Sequence, residues 1–298
     1  MCFEDPDALY VILPYFNYCK FKNRLRLFIE FVNRIHKTPG IHIVIAEAGN
    51  ELPSLPVSKH LRFQTEHHVW IKENLVNLAI ESLPDTWKYV AWIDADITFI
   101  NRRWVSETIR ELKHNDIVQM FQTAVNLGPN GEVIKVDKAF GYMHGIGAKY
   151  AKTDKYGFWH PGYAWACTHR AYDKMVGLID WAILGSGDRH MALAWINKVE
   201  DSYPGNIHPN YKAALHEYQA RCKNMSMSYV NGTILHHWHG SLENRKYRER
   251  WNILSGQNFD PLTDVGFDNK GLIQLTTSGQ RLESELKLYF LERQEDAC

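Results

Sequence analysis

Residues 89–101 read Tyr-Val-Ala-Trp-Ile-Asp-Ala-Asp-Ile-Thr-Phe-Ile-Asn. The first five, Tyr89 to Ile93, are apolar without alternation and include β-branched and aromatic side chains, the pattern of a strand covered on both faces within a parallel sheet. Two carboxylates, Asp94 and Asp96, follow at once. Ligands of open α/β sheets bind just beyond the carboxyl ends of the strands, so both acids stand where a site is expected. At a strand end that bends into a turn, two carboxylates one residue apart can face a single hard cation. Alternatively, one holds the metal while the other takes a ribose hydroxyl. A D-x-D that merely opens a polar turn is the competing reading, and the apolar run before it shifts the balance toward a site.

Towards the N-terminus, residues 8–16 form another buried-strand candidate, broken by Pro14 and followed by Tyr15. Residues 21–36 carry apolar side chains at helical spacing, and Pro39-Gly40 stops them. A second strand over 41–46 ends at Glu47. Strand, helix and strand in this order make a βαβ unit and hence a parallel sheet. A short strand is expected at 61–63 and a helix at 70–83, with Lys72, Asn74 and Asn77 near its start. Each strand-end acid or helix polar group also has a plain reading, as a solvated turn or an exposed face.

Beyond Asn101, a helix over 104–113 and a strand over 116–121 are expected. Residues 126–162 are rich in Gly, Lys, Tyr and His with little periodicity, which suggests loops and a flexible lid hinged at Gly141, Gly145, Gly147 and Gly157. A turn at Gly162 then leads through a short strand into a helix. The run Leu184-Gly-Ser-Gly-Asp188 opens a further helix, so Asp188 is either a cap or an acid presented at a helix N-terminus. The last constellation is Thr233-Ile-Leu-His-His-Trp-His-Gly-Ser241, with Arg245 and Lys246 behind it. On a strand His237 and His239 share a face, whereas a tight turn joins His236 to His239, and a purely structural His cluster competes with both. The sequence after Trp251 reads as loop to about Gly279, with a closing helix over 281–294.

Taken together, the D-x-D, the first βαβ unit, the Gly-to-Asp188 segment and the His-rich stretch resemble the GT-A-fold glycosyltransferases, over about residues 8–255. The resemblance implies a GT-A-like, Rossmann-like α/β domain over 1–255, with a mostly parallel sheet flanked by helices, and a C-terminal extension over 256–298. It implies a nucleotide-sugar donor, UDP-linked by preference, a hydroxyl-bearing acceptor, and Mn2+ or Mg2+. Within it Pro14, Tyr15 and Glu47 would hold the base and ribose, and Lys72 or Asn77 would contact the donor. Asp94 would serve ribose or metal, and Gly162 would lie under the sugar. Arg245 would meet the diphosphate, Asp96 and His239 would hold the metal with His236 as the alternative imidazole, and Asp188 would be the base of an inverting reaction. The stretch between Asp188 and His239 is longer than the family pattern.

Lys plus Arg and Asp plus Glu both total 34, so the formal charge of zero gives no nucleic-acid or anionic-membrane signature. Cysteines at 2, 19, 167, 222 and 298 lack C-x-x-C spacing and read as reduced thiols. With no signal pattern and no long apolar run, a soluble, cytoplasmic protein without a membrane span is expected. The alternatives are a nucleotidyltransferase, disfavoured by the absence of glycine after the first strand, and a carbohydrate-binding protein without turnover. Acceptors compatible with the sequence are a glycan, a lipid, a protein or a modified nucleobase in DNA.

Overall fold

The computed structural model describes residues 7–152 and 159–297. Its first part runs β1 (Leu9–Phe16), α1 (Lys22–Ile35), β2 (Ile41–Ala48), β3 (Lys59–Phe63), α2 (Lys72–Glu81) and β4 (Tyr89–Ile93), and β1 pairs in parallel with both β2 and β4. The unbroken apolar run of β1 is explained by two covered faces. Leu9, Val11, Leu13 and Tyr15 enter one core with Phe28, Phe31, Val32 and Ile35 of α1. Tyr10, Ile12 and Phe16 enter the other with Leu75, Val76, Ala79 and Ile80 of α2. Alternation along the strand thus feeds helices on both sides of the sheet.

The chain continues through β5 (Ile97–Phe99), α3 (Trp104–Leu112), β6 (Ile117–Gln119), β7 (Thr123–Leu127), β8 (Val133–Lys138), α4 (Phe140–Gly145) and β9 (Ala164–Thr168). Next come α5 (His169–Met175), α6 (Gly187–Trp195), α7 (Pro209–Arg221), β10 (Met227–Tyr229) and β11 (Thr233–His236). The large sheet has the order β10-β6-β9-β4-β1-β2-β3. It is parallel except at β9, which runs against both β4 and β6. A smaller sheet has the order β5-β11-β7-β8. The chain leaves the large sheet at Ile93 and enters the small one at Ile97, so Asp94-Ala95-Asp96 is the join between them.

Two expectations change. The segment taken as loops from 126 onward contains the β7–β8 hairpin and α4. The hairpin escapes the pattern because Val133, Ile134 and Val136 of its edge strand are exposed, leaving no buried face to announce it. Gly141 is a packing position, not a hinge, since a Cβ there would fall 2.8 Å from the Ser228 carbonyl oxygen. The expected hinge Gly157 lies outside the described residues. Beyond 251 the chain forms α8 (Trp251–Gly256), β12 (Val265–Phe267), β13 (Ile273–Leu275) and α9 (Glu283–Glu292). Phe259, Ile273, Leu286 and Phe290 join the same core as α2, so the C-terminal extension is built into the domain. No helix among the described residues is long and apolar enough to cross a membrane.

Glu47 fastens the β2 edge. Its carboxylate accepts the N–H groups of Glu51 at 2.6 Å and Leu52 at 2.9 Å. It also meets His60 at 2.8 Å and Arg62 at 3.1 Å on β3. Burial alone would raise its pKa, but the two N–H donors and the Arg62 and His60 side chains outweigh burial and hold it below the ordinary value. This depressed value contributes stability above the unfolded pKa and loses it as pH falls. Glu47→Gln should therefore cost about 1–3 kcal/mol at pH 7, a gap that narrows below about pH 4.3. Urea unfolding at pH 7 and pH 3 checks this; equal stability of the two proteins at pH 7 would contradict the fastening role.

Candidate active site

The small sheet brings the D-x-D and the His-rich stretch together. β11 pairs with β5 so that His236 lies opposite Ile97, and the His237 N–H donates to the Asp96 carbonyl at 2.8 Å. The strand ends there and a turn follows, completed by Gly240 at φ 90° against the backbone of residues 293–295. A turn rather than a continuing strand selects His236 and His239, whose ligand atoms lie with that of Asp96 within 4.8 Å of one another. His239 Nε2 is 2.7 Å from Asp96 Oδ2, and His236 Nε2 is 3.8 Å from the same oxygen. His237 turns to the Thr98 hydroxyl at 2.7 Å.

Asp96 Oδ1 and His236 Nε2 are buried without a hydrogen-bond partner. Unpaired buried polar atoms are costly, and one on each of two neighbouring ligand candidates suits a cation. Burial first, then the Arg245 guanidinium, hold both imidazoles well below the usual histidine range, which favours the neutral form that ligates. Burial also raises the Asp96 carboxyl, against the pull of Arg245. One carboxylate and two neutral imidazoles fit a divalent transition ion. Asp94, an expected co-ligand, stands outside this trio and is ion-paired with Lys72 Nζ.

Two cavities, of about 240 and 120 Å³, flank this pair and share Trp70, Lys72, Asp94, Arg245 and Arg293 as lining. The smaller adds Pro14, Tyr15, Arg24, Asp96 and His239. The larger adds Glu73, His160, Gly162, Tyr163, Asp188 and Tyr247. Arg245 contacts rings rather than acids, with Nη2 2.7 Å from His239 Nδ1 and Nη1 3.3 Å from the Tyr247 hydroxyl. Arg24 and Arg293 share the buried carboxylate of Glu295, each with a bond of 2.7 Å.

At the far end, Ser186 occupies the N-cap of α6 with φ 77°, which makes Asp188 the second helical residue and not the cap. Its Oδ1 accepts the Arg189 N–H at 2.7 Å. Oδ2 faces Gly162, where a Cβ would come within 2.9 Å of it and within 3.0 Å of the His160 ring. The glycine thus makes room for the acid and the imidazole. Tyr163 beside it holds φ 77°, an arrangement costly for a bulky residue and held here by stacking on His160 at 4.1 Å.

The structure does not bring Glu47 or Asn77 to either cavity. Asn77 ties α2 to the segment after α5, donating to the Leu178 carbonyl at 3.0 Å and accepting the Leu178 N–H at 2.9 Å. Conversely, sequence reasoning passed over Glu73, Arg24, Arg293 and Glu295. Glu73 adjoins Lys72 on what reads as an exposed helix face, yet residues 72 to 77 of α2 are all buried. The tail acid and the arginines carry no local signal, because they meet only in three dimensions.

No family model matches the chain, and no curated protein matches it. Solved structures do. A Drosophila β1,4-galactosyltransferase 7 complex with manganese, UDP-Gal and xylobiose is 12% identical, covering 92% of this chain and 97% of its own at a TM-score of 0.43. Glucosyl-3-phosphoglycerate synthase of Mycobacterium tuberculosis, with Mn2+, UDP and glucosyl-3-phosphoglycerate, is 10% identical over 90% and 87% at 0.40. S. aureus TarS with UDP-GlcNAc is 11% identical over 76% and 58% at 0.41. At these identities and scores the likeness assigns no role to any residue of this chain, and side-chain geometry has to supply the roles.

Glu73 is 4% exposed, and burial followed by the nearby Asp188 charge pushes its carboxyl up to about 7 against the pull of Lys72. Because the folded value is raised, the folded state loses stability as pH climbs from the unfolded value, about 4.3, towards 7. Glu73→Gln cannot ionise and should be more stable than the parent by about 1–3 kcal/mol at pH 8, with no gap at pH 4. Denaturant unfolding across this range measures it; superimposable pH profiles would refute the raised value.

Proposed function

We propose that the protein transfers a sugar from a nucleotide-diphosphate-sugar, UDP-linked, to a carbohydrate hydroxyl with inversion at the anomeric carbon. The observation that carries this reading is the trio Asp96, His236 and His239, with two orphaned ligand atoms, beside a cationic cleft that ends at Asp188. The sequence resemblance supplies the donor class. Support from the structure is chemical: Arg245, Lys72 and Arg293 line both chambers, as a diphosphate requires, and Arg offers it paired donors.

In this reading Pro14 and Tyr15 border the nucleoside in the smaller cavity, and Lys72 holds Asp94 at the boundary between nucleotide and sugar. Asp96, His236 and His239 would hold a divalent ion, by their chemistry Mn2+ rather than the Mg2+ that the resemblance also allows, and it would supply charge to offset that of the diphosphate. Arg245 acts from the other side of the same group. Asp188 accepts the proton of the attacking hydroxyl, with its Oδ1 steadied by the Arg189 N–H. Rings of Trp70, Tyr163 and Tyr247, interspersed with Lys135 and Asp137, give the larger cavity the mixed aromatic and polar walls on which sugars bind.

Asp96→Asn should abolish the Mn2+-dependent rise in melting temperature that UDP gives the parent, with the apo melting temperature held. Undiminished Mn2+-dependent stabilisation would remove Asp96 from the metal site. Asp188→Asn preserves the acceptor for the Arg189 N–H and should reduce turnover by about 10²- to 10⁴-fold at unchanged donor affinity. Transfer assays at saturating donor, with calorimetry of donor binding, check this, and a near-parental rate would assign the proton to another group.

A further inference from the structure

We propose that Asn126, oriented by Asp137, is the positioning residue that presents His236 to the cation, fixing the ring tautomer whose Nε2 lone pair faces Asp96. The inference rests on the cation reading above and adds to it the device that readies one ligand.

The small sheet sets the geometry. His236 on β11 lies beside Asn126 on the parallel strand β7, and Asp137 sits on the antiparallel neighbour β8. Asn126 is buried, with 3% of its surface exposed. Its Nδ2 donates to Asp137 Oδ2 at 3.0 Å and, more weakly, to the Lys135 carbonyl at 3.4 Å. A carboxylate and a carbonyl only accept, and Lys135 Nζ, 2.8 Å from Asp137 Oδ1, pairs with that carboxylate. The amide therefore cannot be turned round: its NH2 must face Asp137 and its oxygen the other way.

That oxygen meets the Tyr163 hydroxyl at 2.7 Å and His236 Nδ1 at 2.9 Å. An amide oxygen offers no hydrogen, so both partners must donate, and the His236 ring carries its proton on Nδ1. In the neutral ring this leaves Nε2 as a bare lone pair, and Nε2 is the atom that lacks a protein partner and points into the trio. The opposite tautomer would set two lone pairs against each other across 2.9 Å. A hydrogen bond on the remote nitrogen is the usual means of fixing a ligating imidazole, and loss of such a partner typically costs about 10- to 100-fold in metal affinity.

The test uses the full chain, with ring-15N-labelled histidine, in two measurements: the tautomer of His236 by long-range 1H–15N spectra of the metal-free protein, and Mn2+ affinity by calorimetry. The parent should show the Nδ1–H form. Asn126→Leu, close in volume, should lose that form's dominance and bind Mn2+ about 10- to 100-fold more weakly. The double variant Asn126→Asp with Asp137→Asn exchanges amide and carboxylate, keeps an acceptor facing His236, and should restore the Nδ1–H form and most of the affinity. If Asn126→Leu does not fold, the exchange variant decides alone. A folded Asn126→Leu with parental tautomer and affinity would overturn the proposal, as would an exchange variant that shows the Nε2–H form. Parental Mn2+ affinity in a protein whose tautomer has changed overturns it too, while leaving the cation reading intact. A parent that takes up no Mn2+ overturns both.

Discussion

A carboxylate oxygen withdrawn from water must find compensating charge or hydrogen bonds, and Oδ1 of the half-buried Asp96 is withdrawn from water at the place where the two sheets meet. One oxygen has His239 at 2.7 Å, and the other has no partner at all. Around this one constraint the remaining pieces acquire their roles. The join at 94–96 fixes the acid, β5 fixes β11 beside it, and the turn after His236 folds a second imidazole back onto it. Residues 293–295 lie so close to Gly240 that a Cβ there would meet their backbone at 3.1 Å.

The charges around Asp96 are sorted by partner. Lys72 pairs with Asp94, Arg24 and Arg293 share Glu295, and Arg245 lies against rings. A multiply charged anion entering the cleft would meet Arg245 without having to displace an acid from it. Glu295 tunes this arrangement: its carboxylate, favoured in the charged form by Arg24 and Arg293 in spite of burial, offsets part of the positive field. Glu295 is therefore part of the site's electrostatics.

Much of the fold was legible in the sequence because apolar runs such as 9–16, 41–48 and 89–93 report directly on strands with two covered faces. The β7–β8 hairpin was not, since its exposed edge strand has no inward face to set a period. Asp96 and the histidines were readable as a cluster, but which imidazoles meet depends on where β11 stops, and that is decided by pairing with β5. Glu47 carries the same strand-end signal as a ligand-binding acid and spends it on its own loop and on β3. Glu73 is hidden by the opposite circumstance: α2 is buried all round, so the rule that polar residues mark an exposed face fails there. Arg24 and Glu295 are 271 residues apart, and nothing local announces their meeting.

The most direct measurement is anomalous diffraction from crystals of the protein grown with Mn2+ and UDP. A single strong manganese peak is expected within bonding distance of an Asp96 oxygen, His236 Nε2 and a His239 ring nitrogen. Bound UDP with no manganese peak among these three residues, or manganese held by other side chains, would contradict it.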